Sequence, residues 1–264
     1  MVRTKVDYLD AEWKLRRGRP RIHSNETRLA VTSPVDVEVH DARPAQRAGL
    51  LDLDSNGFVL VEHDTAVTDF RDRNQIRDIY VPEMSELLSS LTGADEVFWF
   101  AFAPLRNEAP DDFFAAYSLY MHCDYAPRVA DQLTIDLLQR RDSPLAQDHA
   151  GWEFAWFNLW RPVDWEVQKR PLTIVDASTV DRSDIVEYRP AASALASLPV
   201  HDDQHRLSYF PAMQTNEVAI FKQLDSRPSR ALVCPHTSFV DPDSPADAKP
   251  RRSFELRLVC AFAP

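Results

Sequence analysis

Two short patterns in this sequence have residue types and spacing suited to holding a metal ion. The first, His122-Cys123-Asp124, closes the apolar run Phe113–Met121. In an extended strand, side chains two apart face the same way. His122 and Asp124 can therefore meet one ion while Cys123 turns into packing. The second copy, His201 and Asp203, lies in the polar run His201-Asp202-Asp203-Gln204-His205. Its histidines have the His-x-x-x-His spacing of a zinc helix, but no glutamate follows the first histidine and no apolar face accompanies it. That run reads as a solvated loop. Metal geometry is better held on a rigid element, which favours the first copy.

A facial triad needs another histidine from a separate strand, and His236 in Leu232-Val233-Cys234-Pro235-His236-Thr237 is the best placed. Taken alone, it fits a satisfied core histidine equally well. Two histidines and one carboxylate leave three positions on Fe(II) for a bidentate cosubstrate and oxygen. What favours the metal is Arg251-Arg252-Ser253, shortly downstream. Arg251 and Ser253 share a strand face, and a guanidinium beside a hydroxyl can grip the far carboxylate of a dicarboxylate. Glu255 and Arg257 continue that polar face, with Phe254, Leu256 and Leu258 opposite. Arg257 is the runner-up anchor, although an ion pair with Glu255 explains it equally well.

These residues need strands to carry them. Val35–Val39 alternates as a half-buried strand, and Phe58–Val61 follows the turn Ser55-Asn56-Gly57. Met84, Leu87, Leu88 and Leu91 have helical spacing between Pro82 and Gly93. Glu96–Ala103 is an aromatic strand, and a loop around Pro110 precedes the run into His122. A short helix follows, using Val129, Leu133, Leu137 and Leu138. Further strands are expected at Glu153–Trp160, Leu172–Val175, Val218–Lys222, Ala231–Thr237 and Ser253–Phe262, with a loop at Asp241–Pro250. The order predicts a mainly β (α+β) fold, with helices flanking an antiparallel sandwich or barrel. One domain is expected over residues 1–264, with an N-terminal arm at 1–30 and the core from about 95 to 264.

Composition excludes several classes. Hydrophobic residues make up 44% and charged residues 27%, as in ordinary globular chains. The net charge of -11, with basic residues clustered only between Lys14 and Arg21, argues against nucleic acid as a partner. Five scattered glycines can build neither a dinucleotide fingerprint nor a phosphate loop. Three cysteines and no leader-like start predict reduced thiols and a cytoplasmic location. No window has the length of a membrane span. A small molecule is the expected partner.

Longer stretches are similar to a known family. Trp156-Phe157-Asn158-Leu159-Trp160-Arg161-Pro162 with Pro171-Leu172 resembles the asaB/CmcJ-type hydroxylase/desaturase family. So do Tyr209-Phe210-Pro211-Ala212-Met213 with Glu217, Phe221-Lys222 and Asp225-Ser226, and Pro235-His236-Thr237-Ser238-Phe239 with Asp241-Pro242. Arg251-Arg252-Ser253-Phe254-Glu255-Leu256-Arg257 completes a match over most of residues 80–262. The resemblance implies a double-stranded β-helix (jelly-roll) core and an Fe(II)/2-oxoglutarate-dependent dioxygenase. Such an enzyme hydroxylates or desaturates a secondary metabolite, consumes O2 and releases succinate and CO2. It implies His122, Asp124 and His236 as metal ligands and Arg251 with Ser253 as the cosubstrate anchor.

In the same segments Asn158 can hydrogen-bond 2-oxoglutarate and Arg161 can pair with a carboxylate, or both hold a strand end before the Pro162 turn. Trp156 and Trp160 can flank an apolar substrate, with aromatic core as the default. Tyr120 shares the strand face of His122 and is expected to line the pocket, while Cys234 is assigned to core packing. Two other readings compete. An iron enzyme of the same fold without 2-oxoglutarate would not need Arg251, and a non-catalytic binding module would bind no metal.

Overall fold

A computed structural model describes residues 1–103, 105–106, 116–190 and 195–264 of the protein. Among them the strands are, in chain order, β1 (Val2–Leu9), β2 (Arg21–Ile22), β3 (Thr32–Asp41), β4 (Phe58–Glu62), β5 (Glu96–Phe102), β6 (Glu153–Pro162) and β7 (Leu172–Val175). They continue as β8 (Ile185–Pro190), β9 (Ala196–Pro199), β10 (Leu207–Tyr209), β11 (Glu217–Asp225), β12 (His236–Ser238) and β13 (Ser253–Phe262). The two longest helices are α1 (Val81–Thr92) and α2 (Ala130–Arg140).

One five-stranded sheet runs β4-β11-β6-β13-β5, and a second runs β1-β3-β10-β7-β12. Period-two alternation sorts the first sheet's side chains. Phe157 and Leu159 of β6, Val218 and Ile220 of β11, and Leu256 and Leu258 of β13 pack under α1. Met84 and Leu88 of α1 are fully buried there, each contributing about 1.5–3 kcal/mol. Pro82 opens α1, and Gly93 closes it at φ 69°, in the left-handed region that glycine adopts without penalty. The opposite face meets the second sheet, where Phe58, Leu60, Trp160, Ala219 and Phe221 pack with Ile174. Two sheets curled over a shared interior, with helices outside, form a double-stranded β-helix.

Several sequence expectations need correction. Residues 1–30 are not an arm as a whole, because β1 pairs with β3 along its full length. Val2, Val6 and Tyr8 are buried, with Arg3, Lys5 and Asp7 between them, so the alternation was present in the sequence. The approach to His122 is not a continuous strand. Tyr120, His122 and Cys123 each make one isolated bridge, to Asp7, His236 and Ser197 in turn. The loop around Pro110 and residues Phe113–Ala115 lie outside the described residues. The strand expected at Ala231–Thr237 is short, starting only at His236.

The run 201–205 is also not a solvated loop throughout. His205 is buried, with Nε2 3.2 Å from Asp184, whose other oxygen receives Lys14 at 2.5 Å. A third sheet, β2-β8-β9, was not foreseen, and it forms a wall over the site described next. No helix among the described residues is long and apolar enough to cross a membrane.

Candidate metal centre and dicarboxylate subsite

His122 and His236 face each other across one rung of backbone pairing. The His122 N–H donates to the His236 carbonyl at 3.1 Å, and the His236 N–H donates to the His122 carbonyl at 2.9 Å. Residues that exchange both bonds project their side chains from the same face, and the two rings lie 4.4 Å apart. Two residues beyond His122, the chain bends and brings Asp124 to the same side. One donor atom from each of His122, Asp124 and His236 falls within 4.8 Å of the others.

The protonation of each group suits a cation. The His122 Nδ1 lies 3.1 Å from the Tyr120 carbonyl, and the His236 Nδ1 lies 3.2 Å from the Cys234 carbonyl. A carbonyl only accepts, so each Nδ1 carries the proton and each Nε2 turns a lone pair to the shared centre. Burial, reinforced by His236, pushes the His122 pKa down to about 4, and burial also lowers that of His236. Both rings are thus neutral near pH 7. Burial alone would raise the Asp124 pKa. Arg257, the two histidines and Asn158 outweigh it and hold Asp124 well below the usual carboxylate range.

Three further residues fix Asp124. Asn158 Nδ2 donates to its Oδ2 at 2.6 Å, and Arg257 reaches its Oδ1 at 3.1 Å. The third is Gln223, which no sequence pattern singled out. The pairing of β11 with β6 shifts between Lys222 and Leu224, and the extra residue, Gln223, accepts the Asp124 backbone N–H at 3.1 Å. Bulges re-aim side chains in this way. Replacing Asn158 with Ala is expected to weaken Fe(II) or Mn(II) binding by about 10–100-fold. Metal titration of the purified variant checks this, and unchanged affinity would show that Asp124 needs no such partner.

A cavity of about 360 Å³ opens over these groups. Its volume is in the range of small-molecule pockets, roughly 300–1,000 Å³. Arg251, Tyr120 and Trp160 line it with the two histidines and Asp124. Arg251 is buried, spans the rings of Tyr117 and Trp160, and donates from Nη1 to the Arg170 carbonyl at 2.5 Å. Its Nε and the Ser253 Oγ are buried without a hydrogen-bond partner among the described residues. Burial pushes the Arg251 pKa down to about 10. A buried cation with unsatisfied donors lacks an anion, since each such group costs about 1–3 kcal/mol. The far carboxylate of a dicarboxylate fits that need.

Other expected residues sit differently. Arg257 is committed to Asp124 and to Glu255, at 2.8 Å, so its charge is already matched. Asn158 supports Asp124 and does not line the cavity. Arg161 points to the helix side, bonding the Thr215 carbonyl beneath the Phe70 and Tyr80 rings. Its odd-numbered position, shared with Phe157 and Leu159, already implied that face. Trp156 is core, donating its indole N–H to Thr134 of α2 at 3.1 Å. Arg252 is an exposed partner of Asp164 at 3.0 Å. Cys234 is fully buried.

Gly57 lies directly behind Cys234. A Cβ there would approach the Cys234 sulfur at 2.6 Å, and φ is 81°. Gly57→Ala is expected to cost about 1–3 kcal/mol by overpacking. It should also weaken metal binding, because it displaces the segment whose carbonyl orients His236. Denaturant melts and metal titration together check this.

A family model described as an oxidoreductase/YMDC permease-like domain matches residues 10–261. The Fe(II)/2-oxoglutarate-dependent dioxygenase nvfI of Aspergillus novofumigatus is 28% identical over 238 residues, covering 86% of this chain and 83% of that protein. The alpha-ketoglutarate-dependent dioxygenase phiK of Fungal sp. (strain ATCC 74256) is 29% identical over 225 residues, covering 80% and 79%. A solved structure of the iron and alpha-ketoglutarate-dependent endoperoxidase NvfI superposes with a TM-score of 0.84 at 23% identity, covering 99% of this chain and 98% of that one. This last likeness establishes the double-stranded β-helix fold.

Proposed function

Because this chain belongs to the YDMC family, the oxidoreductase/YMDC permease-like domain, we propose that it is an Fe(II)/2-oxoglutarate-dependent dioxygenase acting on a small molecule. The observation that carries this reading is the pairing of two sites in one cavity. One is a neutral His122, a neutral His236 and an ionised Asp124. The other is Arg251, which lines the cavity and whose Nε, like the buried Ser253 Oγ two residues on, has no hydrogen-bond partner among the described residues. The relative nvfI carries both dependences in its name, and phiK carries that on 2-oxoglutarate (alpha-ketoglutarate).

In this reading His122, Asp124 and His236 hold iron, and Arg251 with Ser253 holds the C5 carboxylate of 2-oxoglutarate. When bound, iron and 2-oxoglutarate supply the oxidising power through reaction with O2, leaving succinate and CO2. The chain's own part is positional. The backbone rung fixes the spacing of the histidines, and their Nδ1 bonds fix the tautomer. Asn158, Arg257 and Gln223 hold Asp124 so that its charge stays directed at the metal. Arg251 sets the depth and direction of the cosubstrate. Trp160, packed beside it, keeps water from competing for the guanidinium. The outcome for the substrate, hydroxylation or desaturation, depends on which C–H bond the wall residues bring to the iron.

Anaerobic titration tests this reading. Fe(II) alone should leave the visible spectrum flat, and added 2-oxoglutarate should produce a charge-transfer absorption. Iron uptake without that response would leave an iron enzyme independent of 2-oxoglutarate, and no uptake would remove the catalytic reading.

A further inference from the structure

We propose that Arg106 is a second carboxylate-recognising residue in the cavity and that it selects an acidic small-molecule substrate. The inference rests on the oxygenase reading above and adds the substrate's chemical class. Arg106 and Ser253 exchange both backbone bonds, at 3.0 and 3.2 Å, and therefore project from the same face. Arg106 thus lines the cavity beside the dicarboxylate subsite. Its guanidinium makes one long bond, 3.5 Å to the Ala116 carbonyl, and no ion pair among the described residues.

The charges of the cavity leave Arg106 available. Its lining holds the guanidiniums of Arg106, Arg251 and Arg257 and the carboxylates of Asp124 and Glu255. Arg257 is matched by both acids. On loading, the two negative charges of 2-oxoglutarate cancel the two positive charges of ferrous iron. Among the described lining residues, three guanidiniums against two carboxylates then leave one positive charge in excess. A half-buried cleft of one sign concentrates the opposite sign.

Position assigns that charge to the substrate side. Arg106 shares the cavity lining with Arg251 and with Tyr120, Ile22, Tyr188 and Ala196. Ile22 of β2, Tyr188 of β8 and Ala196 of β9 form a wall of the same cavity, so Arg106 opens on the space that the anchor and this wall share. On that wall the Tyr120 and Tyr188 hydroxyls lie 3.3 Å apart. A guanidinium facing such a wall receives a carboxylate by two parallel hydrogen bonds, which a neutral amide cannot reproduce.

Calorimetric titration of protein loaded with Mn(II) and N-oxalylglycine tests this without turnover. The probes are three acid–amide pairs: acetate and acetamide, benzoate and benzamide, cinnamate and cinnamamide. At least one acid should bind about tenfold more tightly than its amide or better, as a charged hydrogen-bonded pair provides. Arg106→Leu should abolish that preference, Arg106→Lys should keep part of it, and both should bind N-oxalylglycine like the parent. Two results overturn the proposal: no pair is distinguished by the parent protein, or Arg106→Leu weakens N-oxalylglycine as much as the acid. The second would make Arg106 part of the cosubstrate anchor. A parent protein that binds neither Mn(II) nor N-oxalylglycine overturns the oxygenase reading itself, and this inference with it.

Discussion

Replacing His236 with Ala is expected to weaken Fe(II) binding by more than about a hundredfold, the upper end of what losing a mere supporting residue costs. Succinate formation should fall to background. His236 is the informative position because its removal disturbs little else. It is neutral, it contacts Phe221 at 4.7 Å between rings, and its Nδ1 bonds a single carbonyl. Asp124→Ala is a poorer test, since it takes a carboxylate from half-buried Arg257 and so mixes a stability cost with the metal effect. The metal-free His236→Ala protein should still melt cooperatively. Metal-dependent turnover in that variant would remove His236 from the ligand set.

The second large effect concerns Arg251. Arg251→Met should raise the KM for 2-oxoglutarate by about 10–100-fold while leaving metal affinity near that of the parent, because charged hydrogen bonds are worth about 1.5–3 kcal/mol. Arg251→Lys should rescue little, since an ammonium offers no planar fork. Ser253→Ala should cost less, having only one neutral hydroxyl to lose.

The sign on stability is the distinguishing feature. The folded Arg251 pKa lies below its ordinary value, so the protonated group is destabilising at every pH below about 10. Without ligand, Arg251→Met should therefore melt no lower than the parent. With 2-oxoglutarate at a hundred times its Kd, only the parent should gain about 2.7 kcal/mol. Melting curves with and without ligand measure both. A variant that is unstable without ligand and keeps its 2-oxoglutarate response would transfer the anchor to Arg257.

What was legible in the sequence followed the range of the interaction. The alternation Ser253, Glu255, Arg257 against Phe254, Leu256, Leu258 is local and half-buried, and β13 has that division. The pair His122 and Asp124 is local as well. Parity along β6 was equally available and would have turned Arg161 away from the cavity. Parity does not report position along a strand, however. Trp156 and Trp160 share a face, yet one lies under α2 and the other beside Arg251. Residues brought in by pairing between distant segments had no signature at all. Arg106 is one, defined by its rung with Ser253; Gln223 is another, defined by a register shift.

The reciprocal peptide bonds between His122 and His236 explain why so much chain can separate them. Main-chain atoms clamp the two imidazoles together, so their spacing is set locally and not by the length of chain between 124 and 236. The β8–β9 hairpin lies inside that interval, in the overhead cover of the hollow. Changes to that roof therefore alter which compounds the hollow admits without moving the two clamped rings.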